Sequence, residues 1–344
     1  VVMFGMKFAV LAIFLGLYLY GWDKLPERIH WYSGVMVFLA GTASAAFVVC
    51  ANAWMNTPTG YELGSDGQLL SVEPWVAMFN PAAFSQILHI LLATFVSIGF
   101  AVAGIHAYML LKDPENRFHR RAIAIGLIVG GFFSLLQPIS GDISAKMVAE
   151  HQPIKLAAME GQWETVEGAG LRIGGWPDEE AEVTRWYLEI PNALSIMAYG
   201  DADAEVLGLR DVPRDERPPV LITHIAFQIM VGIGFFLLGV AAIGAWRFWR
   251  TNRLPDMRWY LKLLVCCTPL GFIAVEAGWV VTEVGRQPWI IYGVMRTADA
   301  VTPMPHLVVP FLAFSVLYVF LSIVVIVLMR RFVFASPTEF RGDG

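Results

Sequence analysis

Seven stretches of mostly apolar residues, about 1–20, 31–56, 84–111, 121–139, 218–246, 259–282 and 306–330, constrain this chain more than any other feature. A helix needs roughly 20 such residues to cross a bilayer. None of the seven alternates residue by residue, as the strands of an outer-membrane barrel do. Backbone groups in lipid must satisfy their hydrogen bonds within their own segment, so each stretch is expected to be a helix. Only 15% of the 344 residues are charged and 57% are hydrophobic, well short of the roughly 25% charge of soluble domains. The expected fold is an all-α integral membrane protein with about seven transmembrane helices.

The connections set the orientation. Those carrying Lys24 and Arg28, then Lys112 to Arg121, then Arg247 to Arg258, then Arg330, Arg331 and Arg341, are basic. They alternate with 57–83, which has acids but no Lys or Arg, and with a long acidic loop. Basic connections stay inside, which puts the N-terminus and the long loop outside and the C-terminus in the cytoplasm. The organisation read is four helices in 1–139, an external loop in 140–217, three helices in 218–333 and a cytoplasmic tail in 334–344. Helix four is expected to stop at Gln137-Pro138. No nucleic-acid partner is expected. Cys50, Cys266 and Cys267 lie in apolar runs without metal or haem-attachment spacing and read as buried thiols. The chain opens inside an apolar run, with no signal peptide, and is read as N-terminally truncated or divergent.

A loop as long as 140–217 with no apolar run of its own is usually functional. Ionisable residues inside spans are functional candidates too. Here they are His89, His224, Glu276, Glu283 and His306, mostly toward the loop side. Imidazole and thioether are the pair that ligates low-spin haem iron, and His89 and Met230 both sit in outer parts of helices, although from the residues alone that pairing is one among several. His106 lies 17 positions from His89, about 25 Å along a helix, too far to share an ion. Lys155 and Glu160, about 140° apart if helical, could flank a polar substrate, with Glu160 accepting a hydroxyl proton, or could be solvated loop charges. Arg286, between Glu283 and Trp289, could hold a propionate or anchor the interface. Asn52 and Asn56, four apart on one helix face, read as interhelical hydrogen-bonding residues.

With these residues the chain resembles subunit I of the cytochrome bd quinol oxidases. The matches, in order, are Gly21-Trp-Asp-Lys-Leu25, Asn80-Pro81 with His89, Gln152-Pro-Ile-Lys-Leu-Ala-Ala-Met-Glu160 with Trp163-Glu-Thr165, Ile190-Pro191, Phe227-Gln-Ile-Met230, and Glu276-Ala-Gly-Trp279 through Glu283-Val-Gly-Arg-Gln-Pro-Trp289. The resemblance implies a haem-binding helical bundle with a short quinol loop. It implies His89 and Met230 as axial ligands of haem b558, and Lys155 and Glu160 as the residues that bind and deprotonate ubiquinol or menaquinol. It also implies Glu283 as the acidic ligand at the high-spin pair, haems b595 and d, with Trp279 and Arg286 beside it. Expected partners are cytochrome bd subunit II, small single-helix subunits, membrane lipid and dioxygen. The expected location is a bacterial or archaeal cytoplasmic membrane.

Three positions depart from the family pattern. No residue matches the family's N-terminal His ligand. The family's two Glu, eight apart, stand here as Met3 and Leu11. Gln228 occupies a position often held by Arg. The main reading is therefore the core subunit of a quinol:oxygen oxidoreductase. A second reading keeps quinol oxidation at haem b but no working oxygen site, and a third is a transporter or structural membrane protein.

Overall fold

The computed structural model describes residues 2–64, 69–253 and 256–333. The helices are α1 (Val2–Tyr20), α2 (Glu27–Asn56), α3 (Pro74–Met78), α4 (Ala83–Lys112), α5 (Arg117–His151), α6 (Pro153–Glu160), α7 (Ala193–Tyr199), α8 (Val220–Thr251), α9 (Arg258–Cys267), α10 (Leu270–Val284) and α11 (Val308–Leu328). The strands are β1 (Tyr61–Leu63), β2 (Leu69–Val72), β3 (Val166–Glu167), β4 (Leu171–Asp178), β5 (Val183–Ile190), β6 (Glu205–Val206), β7 (Trp289–Ile291) and β8 (Met295–Arg296). They pair only as four antiparallel two-stranded sheets: β1 with β2, β3 with β6, β4 with β5 and β7 with β8. Six helical spans, α2, α4, α5, α8, α9 with α10, and α11 onward to Arg331, are long and apolar enough to cross a membrane, and Val10–Tyr20 adds a shorter apolar helix.

Two spans differ from the sequence expectation. The fourth helix does not stop at Pro138; α5 carries the proline in its interior and runs on to His151. Pro138 has no N–H to give the carbonyl four residues back, but the helix-compatible stretch after it resumes the ladder. The drop in hydropathy after Ile139 marks a change of polarity along the helix, not its end, so the first twelve residues of 140–217 are helical. The sixth span is two helices, α9 and α10, separated at Thr268-Pro269. Of the three free thiols, Cys50 and Cys267 are buried while Cys266 is exposed on the outward face of α9. The tail from 334 and the side chain of Met3 lie outside the described residues.

Small residues let α4 sit at the centre. A Cβ on Gly99 would lie 2.4 Å from the Gly130 nitrogen, and one on Gly104 2.5 Å from the Leu264 carbonyl oxygen, so only glycine permits α5 and α9 to approach α4 this closely. Below this contact Phe100, Leu237, Tyr260 and Leu264 form the main apolar core, and the Tyr260 hydroxyl donates to the Val240 carbonyl at 3.0 Å. α4 packs on α5 and α10, and α8 packs on the same two helices. α4 and α8 thus face each other across a four-helix arrangement.

Candidate functional site

α6 opens with Pro153 in its first turn and closes on Gly161, whose φ of 62° supplies the left-handed cap. Lys155 through Glu160 are all buried, so the loop segment carrying two charges is packed into the protein and not solvated. The Lys155 ammonium donates to Asn56 Oδ1 and to Gln152 Oε1, each at 2.7 Å. Burial above all, with the nearby Arg286 cation adding to it and Glu283 opposing it, pulls the ammonium down to about 7. Five residues on, Glu160 is 3% exposed and its Oε2 has no hydrogen-bond partner among the described residues. Burial pushes this carboxyl up to about 8, against the pull of Arg172. Near pH 7 Glu160 is therefore largely protonated, close to the point where it can take or release a proton.

The hairpin β4–β5 covers α6, and α8 fastens it. His224, fully buried, places Nδ1 2.8 Å from the Met159 carbonyl oxygen and Nε2 3.0 Å from that of Gly174. A neutral ring donates to one of these, an imidazolium to both. One turn further, Gln228 accepts from the Gly174 N–H and donates to the Arg172 carbonyl, each at 3.0 Å. Gly175, at φ 115°, is needed because a Cβ there would stand 3.1 Å from His224 Nε2. Arg172 donates to the Gly161 carbonyl, lies over the Tyr187 ring at 4.9 Å, and leaves its buried Nε without a hydrogen-bond partner among the described residues. Gln228 thus holds the loop.

On α4, Ser140 and Gln137 surround the His89 ring, and Ser140 suits a ring protonated on Nδ1. Ser140 Oγ donates its proton to the Gln137 carbonyl at 2.9 Å, so it accepts from His89 Nδ1 at 3.0 Å. In that tautomer the lone pair is on Nε2, where the Gln137 amide nitrogen stands at 3.1 Å, against 3.3 Å from the same nitrogen to Nδ1. An imidazole oriented through Nδ1 with a basic Nε2 is the usual preparation of a metal-binding histidine. Met230 lies on α8, its sulfur against Gly278 of α10, where a Cβ would come within 3.1 Å. With α4 and α8 facing each other, imidazole and thioether belong to opposite walls, and this donor set fits a low-spin haem. Among the described residues no group of three or more His, Cys, Asp or Glu could hold a metal ion.

Glu283, in the last turn of α10, accepts from Asn52 Nδ2 through Oε1 and from Arg286 Nη2 at 2.5 Å through Oε2. Arg286 is buried, and its Nε and Nη1 have no hydrogen-bond partner among the described residues; burial lowers its affinity for the proton and the Glu283 charge raises it. Two unpaired guanidinium nitrogens fit a carboxylate-bearing group such as a haem propionate. Trp279, half-buried, lies four residues before Glu283 on the same helix face. Two sequence candidates fall elsewhere: Glu276 is exposed on α10, and His306 is exposed, outside α11, at φ 63°. Leu11, half-buried on α1, presents no acid. Sequence reasoning missed Gln137, Ser140, Gln152 and Arg172. Only Gln152, inside the loop motif, carried a signal.

A family model described as "Cytochrome bd terminal oxidase subunit I" matches residues 2–337. The bd oxidase structure from Geobacillus thermodenitrificans matches with a TM-score of 0.86 at 40% identity, over 96% of this chain and 76% of that one. The cytochrome bd ubiquinol oxidase subunit 1 of Bacillus subtilis is 31% identical over 95% of this chain and 72% of its own length. The cytochrome bd-II ubiquinol oxidase subunit 1 of Escherichia coli is 29% identical, over 98% and 79%. On this match across nearly its whole length, the chain belongs to the cytochrome bd terminal oxidase subunit I family.

Proposed function

We propose that the chain is the core subunit of a quinol:oxygen oxidoreductase in which α6 carries quinol oxidation. It is a multi-pass membrane protein of a bacterial respiratory oxidase, and its family works with haem, a second subunit, quinol and dioxygen. The observation that carries the assignment to α6 is Glu160: a carboxyl buried beneath the hairpin, unpartnered at Oε2 and close to ionisation at neutral pH. Oxidising a quinol removes two electrons, which haem would accept one at a time when bound, and two protons. The ionised Glu160 carboxylate takes the hydroxyl protons one after the other and releases each before the next, and Lys155, held by Asn56 and Gln152, orients the ring oxygen. The hairpin excludes water from the site.

His89 and Met230 are the proposed axial ligands of haem b558, supported by the His89 tautomer and the facing of α4 and α8. Glu283, with Trp279 and Arg286, is the proposed cradle for haems b595 and d. When bound, haem supplies one-electron transfer and the iron at which dioxygen is reduced. The partners proposed are cytochrome bd subunit II, small single-helix subunits, and ubiquinol or menaquinol. The alternating basic and acidic connections support an orientation with α6 outside and the C-terminus in the cytoplasm. Proton release at α6 then separates charge, because protons for water formation come from the inside.

The reading that keeps quinol oxidation without a working oxygen site is not favoured, since the relatives are oxygen-reducing quinol oxidases. The test is a reduced-minus-oxidised optical spectrum of the chain purified with its partner subunit, with quinol-driven oxygen uptake. A low-spin b signal, a far-red chlorin band and oxygen uptake are expected. A low-spin signal without oxygen uptake would withdraw the oxygen-reducing function, and absence of haem would withdraw the whole reading.

A further inference from the structure

The two asparagines of α2 do more than pair helices. Lys155 Nζ donates to Asn56 Oδ1 at 2.7 Å. Asn56 Nδ2 donates to Asn52 at both its carbonyl, 2.9 Å, and its Oδ1, 3.1 Å. Asn52 Nδ2 donates to Glu283 Oε1, and Glu283 Oε2 accepts from Arg286. Every amide in this line donates in the same direction, from the ammonium toward the carboxylate, so the dipoles reinforce one another. Gln152 braces the middle, donating to the Asn56 carbonyl at 2.9 Å while accepting from Lys155. Asn56 is fully buried and Gln152 and Arg286 nearly so. In such surroundings a lost partner leaves a polar group unsatisfied, and water is poorly placed to replace it.

The line joins residues 231 positions apart in sequence, Asn52 and Glu283, and it joins two functional regions. One end is the ammonium proposed to orient the quinol. The other is the carboxylate proposed to face the high-spin haems. The two ends also sense each other's charge: Arg286 and Glu283 both act on Lys155. A lone asparagine pair bridging two helices would have no reason to end on an ammonium at one side and on an ion pair at the other.

We infer that Asn52 and Asn56 are positioning residues that couple the quinol end of α6 to Glu283, so that a change at Asn52, which among the described residues makes no hydrogen bond to α6, alters binding there. The inference rests on the quinol reading of α6. By linkage, whatever Glu283 does to binding at Lys155, occupancy at Lys155 does to Glu283.

The experiment uses the purified oxidase with its partner subunit and, as probe, 2-heptyl-4-hydroxyquinoline N-oxide, a quinol analogue that cannot be oxidised as a quinol. Its Kd is measured for wild type, Asn52→Leu, Lys155→Met and the double variant, with the low-spin haem band as the check that each is folded. Asn52→Asp is the second probe of the same link. It is nearly isosteric, keeps an acceptor for Asn56 and loses the donor to Glu283. Both Asn52 variants are expected to raise the Kd about tenfold, the cost of one charge-assisted hydrogen bond. In the Lys155→Met background, Asn52→Leu should have little further effect, and binding of the analogue to wild type should shift the high-spin haem band. A Kd within twofold of wild type in both Asn52 variants, or full additivity with Lys155→Met, overturns the coupling while leaving the quinol site standing. Failure of wild type to bind the analogue overturns the quinol reading and the coupling with it.

Discussion

Lys155 and Glu160 are two buried charges five residues apart on one short helix, and their surroundings are opposite. Lys155 has two side-chain acceptors at 2.7 Å and belongs to a line of polar groups ending at Arg286. Glu160 has a pull from Arg172 and an oxygen without a hydrogen-bond partner among the described residues. Burial disfavours charge in both, drawing the ammonium and the carboxyl toward neutrality from opposite sides. The partnered group is fixed and suited to holding a substrate; the unpartnered one is free to exchange a proton. Burial alone, therefore, does not separate the roles proposed for the two residues. Their partners do.

The largest expected effect comes from Glu160→Gln, which keeps shape and resembles the protonated carboxyl. Losing a positioned base costs roughly 10²–10⁴-fold, so kcat for quinol oxidation should fall by at least about a hundredfold while haem content and KM stay near wild type. Equal loss of haem would make the residue structural. Lys155→Met leaves Asn56 Oδ1 and Gln152 Oε1 without their donor. At about 1–3 kcal/mol for a buried unsatisfied group, KM should rise about tenfold and the thermal midpoint should drop, with kcat less affected than by Glu160→Gln. If the two variants showed the same split between KM and kcat, the contrast drawn here would collapse. The smallest effect is at the clasp: His224→Ala frees the Met159 and Gly174 carbonyls. It should loosen β4–β5, read as faster amide exchange across Leu171–Asp178, with a severalfold rise in KM.

Stability should follow pH with a sign fixed by these shifts. Glu160 moves from 4.5 unfolded to about 8 folded, so the folded state holds the extra proton and stability declines as pH rises across that window. Lys155 moves from 10.5 to about 7, so the unfolded state holds the extra proton and stability climbs between 7 and 10.5. Glu160→Gln should remove the first slope and leave the second.

How far the sequence was legible depended on range. Apolar runs located the spans because lipid imposes helix on any such run, and the loop motif located α6. The polarity that follows Ile139 reads as the end of a span, but Ser140 to His151 continue α5 with a polar surface. The break before Pro269 lay inside an apolar run, where hydropathy has no contrast. Asn52 and Asn56 were seen as one face of one helix, but their partners, Lys155 and Glu283, come from α6 and α10 and no local pattern points to them. His224 was singled out for its ionisable ring, and the structure uses that ring to fasten the loop.

The most direct test of the central claim, that Glu160 is the proton acceptor for quinol oxidation, is the pH profile of kcat/KM for quinol in wild type and Glu160→Gln. The account predicts that the wild-type value rises with pH as the carboxyl ionises toward about 8, while the variant is low and lacks that rise. The same inflection in both proteins would contradict it.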